Sequence, residues 1–195
     1  MNDCWNSFKE YVRIDVYRNM RCSVLTALPK IISSYTTIGL LVRFRFCNML
    51  ENRRLNFIGK IIRKIAGWRY NICQARCGIE LPSNANVGPG LRLPHRGGIV
   101  IHPNVVIGKN CEIAQCVTIG NNLTKSRYDV AQIGENVVIC AGTKILGAVI
   151  IGNNVCVGAN SVVNKDLPSN SICAGTPCRV LRCGDSLFPI INLDY

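Results

Sequence analysis

Histidine is scarce in this 195-residue chain, which has only two, His95 and His102. A zinc centre built on three imidazoles therefore lacks a ligand, and no metal site is expected. Aromatic residues make up only 7% of the chain and are not interleaved with basic ones. The formal net charge of +12 thus comes without a nucleic-acid motif, and no nucleic-acid partner is expected. No CxxC occurs among the 12 cysteines. Close neighbours such as Cys73/Cys77 and Cys111/Cys116 read as reduced packing thiols in a cytoplasmic protein. The opening stretch "MNDCWNSFKEYVRIDVYRNM" lacks the apolar core of a secretory signal. In "VLTALPKIISSYTTIGLLV", Pro29, Lys30 and a Ser/Thr cluster interrupt the apolar run, which falls short of the ~20 residues a membrane span needs.

Charge is scarce locally as well. Residues 1–76 carry 14 Lys/Arg against 4 Asp/Glu, and residues 77–195 carry 9 against 7. The basic character belongs to the N-terminal part, and the remainder is close to neutral. Between Ile133 and Val163 the branched aliphatics Ile133, Ile139, Ile145, Ile151, Val157 and Val163 recur every six residues. The same beat runs through Leu81, Val87 and Leu93, and again through Ile101, Ile107, Ile113 and Ile119. Neither a helix nor a flat strand has that period. Gly often follows the aliphatic, as at Gly88, Gly108 and Gly134, and a small or β-branched residue comes three positions later, as at Val105, Cys111 and Val137.

Short flat segments joined by tight corners produce this pattern. Six residues form one side of a triangular prism and three sides form a coil of ~18, so equivalent residues stack. The expected fold is mainly β: a left-handed parallel β-helix of hexapeptide repeats over residues 77–182, preceded by a basic helical segment, 1–76, and followed by a tail, 183–195. A sandwich of short strands would not hold one phase through six consecutive repeats. Helical spacing runs from Phe8 to about Tyr70, with Val12, Val16 and Met20 on one stripe. "NKDLPSNSICAGTPCRVLR" has the composition of a closing turn, and "SLFPIINLDY" is expected to cap the last coil.

The beat breaks register twice, between Leu93 and Ile101 and between Ile119 and Ile133. A solenoid expels extra residues as loops, which commonly gather on the binding face. The larger expelled segment, residues 121–132, reads "NNLTKSRYDVAQ". The smaller break holds "LPHRGGIVIHP", with both histidines.

"LPSNANVGPGLRLPHRGGIVIHPNVVIGKNCEIAQCVTIG", followed by "IGENVVICAGTKILG", "VGANSVVNKDLP" and "AGTPCRVL", resembles the serine acetyltransferase branch of the hexapeptide acyltransferases. The resemblance covers residues 78–182. It implies a homotrimer, with a dimer of trimers as a larger form, and acetyl transfer from acetyl-CoA to a hydroxyl in a groove between subunits. His95, seven residues after Gly88, matches the family's catalytic base. Imidazole titrates near neutrality and can take a hydroxyl proton as attack on the thioester begins. Glu80 stands where the family places the Asp that orients this ring. Ala141, Gly142, Ala159, Lys165 and Arg179 are the positions that would line the acetyl-CoA groove. His102 begins a repeat and reads as structural.

Two departures point away from serine as acceptor. Pro94 replaces the Asp that precedes the catalytic histidine in the family, and the loop offers Arg127 and Tyr128 where the family carries Arg-His. A zwitterion needs an anion to meet its ammonium group, and Pro94 supplies none. Members that acetylate sugar hydroxyls on exopolysaccharide, capsule or O-antigen precursors share the proline-histidine and a basic N-terminal segment. A carbohydrate acceptor, lipid-linked or free, is therefore the expected substrate, with serine and a non-catalytic scaffold as alternatives. Residues 1–70 could then dock at the inner face of the membrane through cations and apolar stripes, or simply pack on the prism.

Overall fold

The computed structural model describes residues 2–32, 36–51, 53–122 and 128–184. Among the described residues four helices come first: α1 (Asn2–Met20), α2 (Val24–Ile32), α3 (Thr37–Glu51) and α4 (Phe57–Cys77). The stripe on α1 is used as its spacing demands, with Val12 and Val16 buried and Met20 packed beside them. Asn56 caps α4 by accepting from the Gly59 N–H at 2.9 Å. Gly78 ends α4 at φ 64, a left-handed turn that delivers the chain directly into the first strand. No single helix among the described residues is long and apolar enough to cross a membrane.

Fourteen short strands follow among the described residues: β1 (Ile79–Glu80), β2 (Asn86–Val87), β3 (Ile99–Ile101), β4 (Val106–Ile107), β5 (Glu112–Ile113), β6 (Thr118–Gly120) and β7 (Gln132–Ile133) make the first half. The second half is β8 (Val138–Ile139), β9 (Lys144–Leu146), β10 (Ile150–Ile151), β11 (Val155–Val157), β12 (Val162–Val163), β13 (Ser171–Ala174) and β14 (Arg179–Cys183). They form three faces. The first stacks β1-β3-β6-β9-β12, the second β2-β4-β7-β10, and the third β5-β8-β11-β13-β14. Successive strands step from face to face, and pairing between coils is parallel, as in Ile119↔Ile145 and Ile107↔Ile133. This is the left-handed parallel β-helix that the six-residue beat requires.

The beat explains the interior. Every aliphatic that holds it, from Leu81 to Val163, is buried. The small or β-branched residues three positions after the glycine site also point inward: Val105, Cys111, Val117, Thr143 and Ser161 are all fully covered. Each buried Ile or Val contributes roughly 1.5–3 kcal/mol by leaving water, and stacking lets each coil cover the next.

The three edges differ. Where the first face turns into the second, Asn121 and Asn122 leave β6 and Tyr128 to Ala131 lead into β7; this is the loop edge. Where the second turns into the third, Asn110, Asn136, Asn154 and Asn170 adopt φ between 55 and 59. Their side chains hydrogen-bond in a ladder, Asn110 to Asn136 at 3.3 Å, Asn136 to Asn154 at 2.9 Å and Asn154 to Asn170 at 2.8 Å. Asn tolerates this conformation and also ties successive coils together. The third edge, between the third and first faces, carries His95.

The C-terminal expectation needs correcting. The stretch expected as a closing turn contains β13 and β14, because Ser171 and Cys173 alternate inward and complete the third face. β14 then returns antiparallel along β13 and covers the strand edge that the last coil would leave open. The proposed cap, residues 186–195, lies outside the described residues.

The helices close the other end of the prism through polar contacts with the first coil. Asn19 and Asn48 donate to the carbonyls of Leu91 and Ser83 at 2.9 and 2.7 Å. Gln74 accepts the Leu81 N–H at 2.7 Å. Backbone groups that a preceding coil would pair are thus satisfied by side chains.

Candidate active site

The edge between the third and first faces is a column of aligned turns. Gly97 donates to Cys77 O, Cys116 to Gly97 O, Gly142 to Gln115 O and Asn160 to Ala141 O, all at 2.8–3.0 Å. The turn residues have positive φ: Gly98 at 67, Cys116 at 61, Gly142 at 77 and Asn160 at 55. At Gly142 a side chain would have to overlap Asn160 Oδ1 of the next coil, so the column stays narrow and smooth there.

His95 leads into this column two residues before Gly97. The preceding register break lets the chain swing outward there, leaving the imidazole exposed. Ala141, Gly142 and Ala159 lie in the same column on later coils, where Ala141 and Gly142 are half-buried and Ala159 is exposed. One edge of the prism therefore brings together the candidate base and three of the candidate donor-groove residues. Arg179 starts β14 opposite Ala174, at the far end of that edge.

Other candidates are not gathered here. Lys165 is exposed just after β12, where the first face turns into the second, and so belongs to the loop edge. Tyr128 is 80% exposed on the projecting loop, and Arg127 lies outside the described residues. A single chain places Tyr128 across the first face from His95.

Glu80 is on β1, paired with Val100, and its carboxylate faces outward. Among the described residues no side-chain hydrogen bond joins it to His95. The two flank the same edge from opposite sides: His95 precedes the turn on one coil and Glu80 follows it on the coil before. Beside Glu80, the last turns of α4, Gly98 and the start of β3 enclose a hollow of about 480 Å³, lined also by Asn71 and Gln74. His102 sits on the loop edge, where its Nδ1 accepts the Asn104 N–H at 3.2 Å. That turn contact suits a structural residue.

Two features escaped the sequence reading. Lys144, on β9, reaches across the first face to donate to Cys116 O at 2.7 Å and Thr118 Oγ1 at 3.1 Å. It fixes a cation beside the column, and its place in "CAGTK" next to Gly142 was the available signal. Cys140 and Cys156 stand on adjacent coils of the third face within hydrogen-bonding reach. The bond from Cys156 draws Cys140 down to about 7, while the same bond, and then burial, push Cys156 up.

The family model "Bacterial transferase hexapeptide (six repeats)" matches residues 131–165. The serine acetyltransferase of Helicobacter pylori is 33% identical over 147 residues, covering 75% of this chain and 82% of that protein. The chain belongs to the serine acetyltransferase family. A second serine acetyltransferase, from Synechococcus elongatus, is 32% identical over 162 residues, which are 83% of this chain. This chain spans 64% of the length of that relative. The crystal structure of serine acetyltransferase from Vibrio cholerae superposes with a TM-score of 0.74 at 26% identity, covering 93% of this chain and 68% of that one. The likeness includes the helical part as well as the prism. These serine acetyltransferase relatives correct the emphasis of the sequence reading: they support serine, its alternative, over a carbohydrate acceptor.

Proposed function

We propose that this protein transfers the acetyl group of acetyl-CoA to the hydroxyl of L-serine, working as a homotrimer. The observation that carries the reading is the edge column, in which an exposed His95 leads into a stack of small residues at Ala141, Gly142 and Ala159. A thin pantetheine arm could lie along such a stack with its thioester at the His95 end. The loop edge of a neighbouring subunit would supply the opposite wall of the groove, bringing Lys165 and Tyr128 to the site.

In this mechanism the acceptor oxygen attacks the thioester carbonyl while His95 takes its proton. The tetrahedral adduct collapses with departure of the CoA thiolate, which recovers the proton from the imidazolium. Ester and thiol are the products. Base catalysis of this kind is typically worth ~10²–10⁴-fold. Glu80, once drawn toward the ring in the closed assembly, would steady the imidazolium. Arg179 and Lys165 are the cations offered to the CoA phosphates.

A second reading is favoured by Pro94, which gives an amino-acid ammonium no partner beside the catalytic ring. On that reading the acceptor is a carbohydrate hydroxyl. A screen with labelled acetyl-CoA decides between them, comparing L-serine with nucleotide-linked and lipid-linked sugars. Label in O-acetylserine is the expected result. Label in a sugar with none in serine would establish the second reading, and no transfer to any hydroxyl would sink both.

A further inference from the structure

Helix α4 turns one face to the prism and leaves the opposite one bare. Tyr70, Cys73 and Cys77 are buried. Phe57, Ile58, Ile61, Ile65 and Trp68 are exposed at 77%, 65%, 45%, 54% and 65%. At about 100° per residue these five fall within an arc of about 100°, opposite the buried side. Ile32 of α2, 70% exposed, meets Ile62 and Ile65 along one groove of about 490 Å³. The apolar strip therefore continues from α4 onto α2. Strips of this size on soluble surfaces mark a docking site.

The charges around it select the partner. Lys60, Arg63, Lys64, Arg69 and Arg76 are the charged residues of α4, which has no acid, and Lys30 is the charged residue of α2. Lys60 and Lys64 edge the strip on one side and Arg69 on the other, all exposed. A second copy docked through the same face would set these cations against their own kind. An anionic lipid surface meets both features at once: acyl chains for the isoleucines, headgroup phosphates for the cations, and the interfacial layer that Trp and Phe favour. We propose that the exposed faces of α4 and α2 form a peripheral docking surface for anionic membrane, with α4 lying in the plane of the interface.

The test uses the full chain and reads binding, independently of acetyl transfer. Trp5→Phe leaves Trp68 as the single tryptophan. Its emission should shift to the blue with vesicles of equal parts phosphatidylglycerol and phosphatidylcholine, and much less with phosphatidylcholine alone. The protein should sediment with the mixed vesicles and be released by high salt. The pair Lys60→Glu and Lys64→Glu should weaken binding by about tenfold or more. Ile61→Ser with Ile65→Ser, both at exposed positions, should weaken it while thermal unfolding stays put. Unmoved Trp68 emission on the mixed vesicles overturns the proposal. So does emission already blue without vesicles that reddens, with a fall in particle mass by light scattering, in the Ile61/Ile65 variant; a second copy would then cover this face.

Discussion

Arg45 donates from Nε to the Asp15 carboxylate at 2.7 Å, with both side chains almost fully buried. The remaining guanidinium nitrogens reach Val87 O and Gly88 O at 2.6 Å, and Asp15 accepts the amides of Gly90 and Leu91 at 2.7 and 3.1 Å. Burial pushes the Asp15 carboxyl up, opposed first by the Arg45 charge. This pair bolts α1 and α3 onto the open end of the prism, because it replaces the hydrogen bonds a further coil would make.

Removing one partner strands the other. Arg45→Met should cost about 3–5 kcal/mol, since it leaves a buried carboxylate and two unpaired carbonyls. Urea unfolding of the variant measures it. A loss below about 1 kcal/mol would show that the helices are held by apolar packing alone.

The asparagine ladder makes an unusual ordering. Asn154→Gly removes two side-chain hydrogen bonds but keeps the backbone at ease at φ 56. Asn154→Ala loses the same bonds and adds left-handed strain of about 1–2 kcal/mol. Alanine should therefore be the more damaging substitution, the reverse of the usual ranking in a regular element. Paired melting curves check the order.

His95→Ala should lower turnover by ~10²–10⁴-fold. It should leave melting and particle mass unchanged, because the exposed ring takes no hydrogen bond from the described residues. Glu80→Gln should cost less, as it retains shape and loses only charge. Steady-state kinetics beside light scattering separate loss of chemistry from loss of assembly. A fully active His95→Ala would end the assignment.

Thiol chemistry gives a pH-dependent reading. Cys140 is drawn down to about 7 by the Cys156 hydrogen bond, whereas burial pushes Cys111 up to about 11. The thiolate is the reactive form, so alkylation of Cys140 should rise with pH through neutrality while Cys111 stays unmodified until far more alkaline solution. Cys156→Ala removes the donor and should move the Cys140 midpoint upward. Peptide mapping after a short iodoacetamide pulse reads both.

The prism was legible because a solenoid writes its period into the chain: Leu81, Ile119, Ile145 and Val163 must all point inward, and a fixed spacing is the only way to arrange that. The asparagine edge was equally present, as Asn recurring three residues after Ile107, Ile133, Ile151 and Leu167, but a turn residue carries little weight until coils stack. His95 stood out through resemblance, since one exposed histidine has no signature of its own. Helical spacing also covered α2, where Pro29 is the sixth residue and gives up the backbone bond to Leu25 O, and the helix runs only three residues further, to Ile32.

The amino-acid order alone settled which residues face the axis, since inward and outward positions follow from a local period. It did not settle which corners share an edge, that Lys165 is separated from Gly142, or that Asp15 meets Arg45 across 30 residues. Those relations depend on how many residues each coil expels and on which helix seals the open end. Both are set by long-range packing, to which a six-residue repeat is blind.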